Sequence, residues 1–551
     1  MRLSSLPRPL ALPPTGWTLA GLLAFYVLAG LFGHDPWANE DVVHLAVARD
    51  FLDPGHGLGL SLAGRPFLAA PLYYWSAALT EMAFAWCMPT HDALRFASGL
   101  WTALSLAALY YAGREMFGQL AAAATPLLMA GSFGLIVHAH EAQPMLVLLA
   151  AISFWLLAVV LLPRKPKTAA SLLCLSLSLA ALGAGLAGWL ILLLALFLPL
   201  FLPFAFSATL RQKAVFVLWA VAGNLLVLAA IGGLLHLAAP DWLSAWLSRE
   251  MALFSGDWRY PRDLLELCRL LPWFSWPLWP LAGWTLWRNR RAWRRMEILL
   301  PLGLFLLLFL LMPAFFAVRK SSAILLLPPL ALLATPGGLT LRRGAANAFD
   351  WFSGMVFSIF AILLWTGWSA MIFGYPARLA RRAVELEPGF VGRFDPWFFV
   401  LALLVTLWWI WLALAMPRSP YRALTRWSIG LAVGWLLAVS LWLPWIDYGK
   451  SYRGTAAMLV RHLPRDDARR EENCIAAWQL SEAQIAAFAY FERLRLTPLR
   501  EGGHCRWLLV EGRSRSELTP PDAGWQLVWE GNRPSDRRTR FSLYRREEAA
   551  D

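Results

Sequence analysis

Two neighbouring carboxylates, Glu40 and Asp41, follow closely on an apolar run, Gly16 to Phe32, inside the stretch PWANEDVVHLAVARDFL (36–52). A carboxylate at a membrane surface can act as general base towards a hydroxyl or amine acceptor. Acidic residues also flank helices as ordinary solvated loop, so the pair alone leaves both readings open. A second constellation is HAHEAQP (138–144). There His138, His140 and Glu141 could hold a divalent metal or orient a phosphate. The His-x-His-Glu spacing is not a recognised metal box, and polar residues in a short loop fit it equally. A third pair, Arg319 and Lys320, ends the apolar run LLLFLLMPAFFAV (306–318). Two cations beside apolar helices suit a lipid-phosphate head group: charge-assisted hydrogen bonds hold the phosphate and the bilayer holds the tail. Arg65, Arg259 and Arg262 could serve similarly. No Walker loop, Rossmann fingerprint or serine nucleophile elbow is present, so nucleotide-driven chemistry has no support.

The elements that must position these residues are membrane helices. Of 551 residues, 59% are hydrophobic and 15% charged, against roughly one quarter charged in a soluble protein. Mean hydropathy is +0.52. Many apolar windows reach the roughly 20 residues a helix needs to cross a bilayer. They run continuously rather than alternating, which favours helices over a closed barrel. The apolar runs predict about 13 transmembrane helices. The first is Gly16 to Phe32; no cleavable signal peptide is expected, because that run is long and lacks a small-residue cleavage site. Helices five and six share the run 168–204, bent near Gly183 to Gly188. With the N-terminus cytoplasmic, PRKPK, RNRRAWRR and the other strongly basic short loops fall on the cytoplasmic side, as the positive-inside rule requires. The opposite face receives the long loop 34–93, HAHEAQ and Arg319-Lys320. Within 34–93, PFLAAPLYYWSAALTEMAFAWC reads as an interfacial or re-entrant helix, because counting it as a crossing would reverse every later loop.

The charge of +14 belongs mostly to this membrane half: from Asp447 onward the chain has 18 Lys/Arg against 16 Asp/Glu, a net of +2. It therefore reads as a topology signal, not a nucleic-acid surface. Residues 1–446 are expected to be the membrane domain and 447–551 a small soluble α/β domain. The latter has helix-like SYRGTAAMLVRHL and SEAQIAAFAYFERL, and strand-like CRWLLVEG, GWQLVWEG and RFSLYRR. Of five cysteines, Cys474 and Cys505 are the two in this tail. If it faces an oxidising compartment they could pair.

In order along the chain, NEDVVHLAVARDFL, APLYYW, LRFASGLWTALSLAALYYAGREMFG, HAHEAQPML, LLPWFSW, RKSSAILLLPPLALLA and IDYGKSYRGTAAML resemble the membrane-embedded GT-C glycosyltransferases. Within them the chain is similar to the aminoarabinose transferase and protein mannosyltransferase group. The resemblance implies an inverting transferase of the bacterial inner membrane. It would move a sugar from an undecaprenyl-phosphate donor to a lipid or glycan acceptor such as lipid A. It also implies Glu40 as general base with Asp41 supporting it, Glu141 as the second acidic position, and Lys320 on the donor phosphate. Two positions depart. Leu68-Ala69 stand where aminoarabinose transferases carry Glu-Lys, linked there with metal and phosphate. GLAGW (185–189) replaces their Lys-Gly-Pro. A GT-C transferase for protein or another surface glycan, and a flippase for lipid-linked sugar that needs no base, fit the same cations.

Overall fold

The computed structural model describes residues 16–37, 40–53, 57–201, 209–252, 260–316, 319–417, 419–464, 474–501, 505–514, 516–533, 536 and 538–546. The chain begins with α1 (Gly16–Leu28) and, after a short linker, α2 (Glu40–Phe51). A two-residue hairpin follows, β1 (Ser61–Leu62) against β2 (Arg65–Pro66), then α3 (Leu72–Phe84). At 13 residues α3 is about 20 Å long, too short for a hydrocarbon core of about 30 Å. Its Leu79 and Met82 are exposed, as an interfacial helix requires.

The next helices are α4 (Thr90–Phe117), α5 (Ala124–Ala130), α6 (Phe133–His138) and α7 (Met145–Leu161). The apolar stretch 120–137 is thus two short pieces broken at Gly131–Ser132. There the Trp427 indole donates to the Gly131 carbonyl at 2.7 Å. Then come α8 (Pro166–Ala195) and α9 (Phe197–Phe201). α8 is interrupted at Gly185, whose φ of 68° and ψ of −159° are not helical. A Cβ on Gly188 would lie 3.2 Å from the Ala180 carbonyl oxygen. Eight residues of straight helix would separate the two by about 12 Å, so the chain doubles back at Gly185. The bend expected near Gly183–Gly188 is this hairpin.

α10 (Leu210–Ala238), α11 (Pro240–Ala252), α12 (Tyr260–Phe274) and α13 (Leu278–Arg288) follow. The apolar stretch 271–287 is divided between α12 and α13 at Trp276–Pro277. Next are α14 (Met296–Phe315), α15 (Lys320–Ala323), α16 (Leu327–Leu339), α17 (Arg343–Phe373), α18 (Ala377–Leu386), α19 (Pro396–Ala415) and α20 (Arg422–Lys450). Among the described residues seven helical stretches are long and apolar enough to cross a membrane by length and composition: 166–200, which turns back at Gly185, 211–238, 296–315, 320–339, 343–373, 396–415 and 422–450. The chain is a multi-pass helical membrane protein. Thirteen is a count of apolar segments, not of crossings fixed by length.

The tail carries α21 (Arg453–Val460), β3 (Ile475–Trp478), α22 (Glu482–Glu492), β4 (Leu496–Pro498), β5 (Trp507–Gly512), β6 (Trp525–Asn532) and β7 (Arg540–Arg546). The sheet order is β4-β3-β5-β7-β6. β3 is parallel to β4 and β5, while β7 is antiparallel to β5 and β6. Cys474 and Cys505 form a disulfide just before β3 and β5. Three basic loops, PRKPK, RNRRAWRR and LRR (341–343), sit at the ends of α7, α14 and α16 away from the residues that surround Glu40.

Candidate active site

Glu40 and Asp41 occupy the first turn of α2, where the helix dipole favours negative charge. Neighbours on a helix point about 100° apart, and here that rotation separates their roles. Asp41 turns inward and is fully buried. Its carboxylate receives Arg95 Nη2 at 2.8 Å and Nε at 3.2 Å, a bidentate pair. It also accepts the backbone N–H of Trp37 at 3.1 Å and of Ala142 at 2.7 Å. Burial pushes the Asp41 carboxyl up, but Arg95 and the other donors outweigh it and hold the group below its ordinary value. Arg95, itself buried, gives further bonds to the carbonyls of His34 and Asp35 and stands 3.5 Å from the Asp92 carboxylate. One ion pair therefore ties together the 34–41 segment, α4 and the 139–144 loop. Asp41 is an anchor, closed to substrate.

Glu40 turns outward and its side chain is 29% exposed. Oε1 receives Arg319 Nη1 at 2.8 Å, and Oε2 receives Gln143 Nε2 at 3.1 Å. Burial raises the Glu40 carboxyl, yet hydrogen bonds from Arg319, Ser321 and Gln143 bring it below 4.5. It is ionised and reachable, which is what a general base needs. One helical turn along α2, His44 Nδ1 lies 2.9 Å from the Tyr74 hydroxyl. Burial holds its imidazole down at about 4, against the pull of Glu40 and Asp41, so it is neutral near pH 7.

Arg319 and Lys320 sit where the chain enters α15. Lys320 is exposed, with Nζ 5.6 Å from the centroid of the Trp273 ring. The Arg319 guanidinium is also largely exposed and keeps donors beyond the one it gives Glu40.

Several predicted residues fall elsewhere. Arg65 pairs with Glu501 of the tail, and Arg259 lies outside the described residues. His140 is buried with Nδ1 against the Ile136 carbonyl and Nε2 2.8 Å from the Tyr26 carbonyl. Neither of its ring nitrogens faces a metal site. His138 Nδ1 stands 3.6 Å from Glu141 Oε2, and Glu141 is buried. Among the described residues no group of three His, Cys, Asp or Glu could hold a metal. The structure does not bring His138, His140 and Glu141 together as one ligand set: His140 faces two backbone carbonyls, and of the two histidines only His138 approaches Glu141. Glu141 does not join Glu40 through any contact described.

The back of α2 rests on the tail. Arg49 donates to the Tyr490 carbonyl and lies 4.9 Å over the Tyr490 ring. The linker before α2 is clamped as well. Asp35 is paired with Arg453 through Nε at 2.9 Å, and Trp37 Nε1 donates to Asp447 at 2.7 Å. Sequence reasoning passed over Arg95, Gln143, Ser321, His44 and Tyr74. An ionisable Arg95 just ahead of the apolar part of α4 was the available signal.

No family model and no curated protein matches the sequence. The fold does match solved structures. ArnT from Cupriavidus metallidurans bound to undecaprenyl phosphate has a TM-score of 0.65 over 96% of this chain and 98% of that one, at 16% identity. The same protein in the apo state gives 0.63 with the same coverage, at 15% identity. The chain therefore shares the fold of ArnT over nearly its whole length.

Proposed function

We propose that the chain is an inverting glycosyltransferase that takes a sugar from a polyprenyl-phosphate donor. The observation that carries this is Glu40: an ionised, reachable carboxylate gripped by Arg319, with Lys320 adjacent, at the head of a membrane fold shared with a protein solved with undecaprenyl phosphate. The acceptor hydroxyl attacks the anomeric carbon from the face opposite the phosphate. Glu40 takes its proton as the new C–O bond forms. The bond to the phosphate oxygen breaks and the polyprenyl phosphate leaves with the electron pair. Lys320, with the free donors of Arg319, stabilises the charge growing on that phosphate.

The donor is undecaprenyl-phosphate-linked sugar and the acceptor is lipid A in the inner membrane of a bacterium, with the site and the tail on the periplasmic face. The Cys474–Cys505 disulfide supports an oxidising compartment for the tail. The basic loops at the far helix ends support the opposite side as cytoplasmic. The test is mass spectrometry of lipid A and surface glycans from wild-type, deletion and Glu40→Gln cells. A sugar-sized mass lost in both mutants supports the reading and names the acceptor. A mass lost in the deletion but kept in Glu40→Gln overturns Glu40 as base. Transbilayer movement of labelled lipid that survives Glu40→Gln, with no product made by wild type, favours a flippase.

A further inference from the structure

The segment joining α17 to α19 contains a helix that the chemistry at Glu40 does not use. α18 is ARLARRAVEL, and none of its residues is buried. At about 100° per residue, Arg378, Arg381 and Arg382 share one side of it with Glu385. Leu379, Ala383 and Leu386 share the other. Leu379 and Leu386 are 46% and 47% exposed, so the apolar side finds no adequate cover within the chain. Arg382 bonds Glu385 at 3.0 Å. Among the described residues neither Arg378 nor Arg381 has a carboxylate partner.

What covers this helix follows from where it is. Both flanking helices, α17 and α19, are long and apolar enough to cross the membrane, so α18 is held at the bilayer boundary by its own chain. Tyr375 and Trp397, near the two ends of the segment, are 74% and 83% exposed, the aromatic pattern of a membrane–water interface. The side of the membrane is set by contacts. Tyr448 donates to the Pro388 carbonyl at 3.0 Å, and Glu387 packs against Gly449. The same stretch holds Trp37 through Asp447 and Lys450, three residues before Glu40. α18 therefore lies on the Glu40 face.

We propose that α18 is an interfacial helix that docks on anionic lipid, seating Leu379, Ala383 and Leu386 among acyl chains while Arg378 and Arg381 hold phosphate head groups of the leaflet on the Glu40 side. A basic amphipathic helix binds by exactly these two terms, apolar burial and attraction to anionic head groups. The surface is distinct from the Glu40 site, and its test needs no transferase assay.

The full chain is reconstituted in nanodiscs with Cys87, Cys174 and Cys268 replaced by Ser and the disulfide kept. A nitroxide is placed at Leu379→Cys or, separately, at Glu385→Cys. The label at 379 is expected to be accessible to oxygen and shielded from a water-soluble nickel complex, and the label at 385 the reverse. Equal access of the nickel complex to both overturns the docking. Native mass spectrometry then counts phosphatidylglycerol against phosphatidylcholine retained by the purified chain. Arg378→Gln/Arg381→Gln is expected to lower the preference for the anionic lipid by about thirtyfold. An unchanged preference overturns the role of the arginines.

Discussion

The Arg319 guanidinium lies 2.8 Å from the Glu40 carboxylate, joining two residues 279 positions apart. This pair decides the protonation state of the proposed base. Burial alone would raise the Glu40 carboxyl; Arg319, with Ser321 and Gln143, brings it below 4.5. A base works only when deprotonated. Activity is therefore expected to hold as pH falls through the ordinary carboxylate range and to be lost only beneath it. In Arg319→Gln the raising effect of burial is left less opposed, so the acid limb of the kcat/KM profile moves up in pH. A limb that stays in place would show that Arg319 does not tune Glu40.

Glu40→Gln is expected to lower turnover by about 10²–10⁴-fold, the usual worth of a positioned base. The amide oxygen can still accept from Arg319 while the bond from Gln143 is lost, so the cost in stability should stay at about 1 kcal/mol. Radiolabelled sugar transfer and a melting curve on the same preparation check both halves.

Much of this arrangement was legible in the sequence because it rests on local pattern. Apolar length marks membrane helices, and an acidic pair opening a periodic stretch marks the head of α2. The disulfide was left open because sequence spacing cannot say whether two cysteines meet; the parallel pairing of β3 with β5 brings them together. The division of labour between Glu40 and Asp41 was less accessible. It depends on which way a helix is rotated about its axis, and that is set by Arg95 from α4. His138 and His140 were hard to place for the same reason: two positions apart in sequence, they face different partners. Gly131–Ser132 broke an apparently continuous apolar helix because tertiary contacts, not propensity, end it there.

Asp41→Asn is expected to destabilise the fold by about 3–5 kcal/mol, because it removes the bidentate partner of the buried Arg95 charge and leaves it only Asp92, at 3.5 Å. The site should fail with the fold, since the same carboxylate holds Ala142 N and so the loop that carries Gln143. Replacing both partners, Asp41→Leu with Arg95→Met, removes the stranded charge and should recover part of the stability but not the activity. Unfolding followed by tryptophan fluorescence in detergent compares the three variants. A double variant less stable than Asp41→Asn would show that the pair, not the unpaired charge, governs this site's stability.

Gly185→Ala tests the hairpin in α8. A side chain at φ 68°, ψ −159° is in a region essentially reserved for glycine, at a cost of about 1–3 kcal/mol. The added Cβ would also run into the Glu250 carboxylate, with Cδ at 2.6 Å. Glu250 cannot simply swing away, because its Oε2 accepts the Leu186 N–H at 2.7 Å and so caps the returning helix. The two contributions separate by a cycle. Glu250→Ala alone should lose only the cap, about 0.5–2 kcal/mol. In Gly185→Ala/Glu250→Ala the clash is gone but the backbone strain stays, so the double variant should be less destabilised than the sum of the singles. Strict additivity would mean that the carboxylate yields freely and that the reversal at Gly185 is maintained by backbone conformation alone.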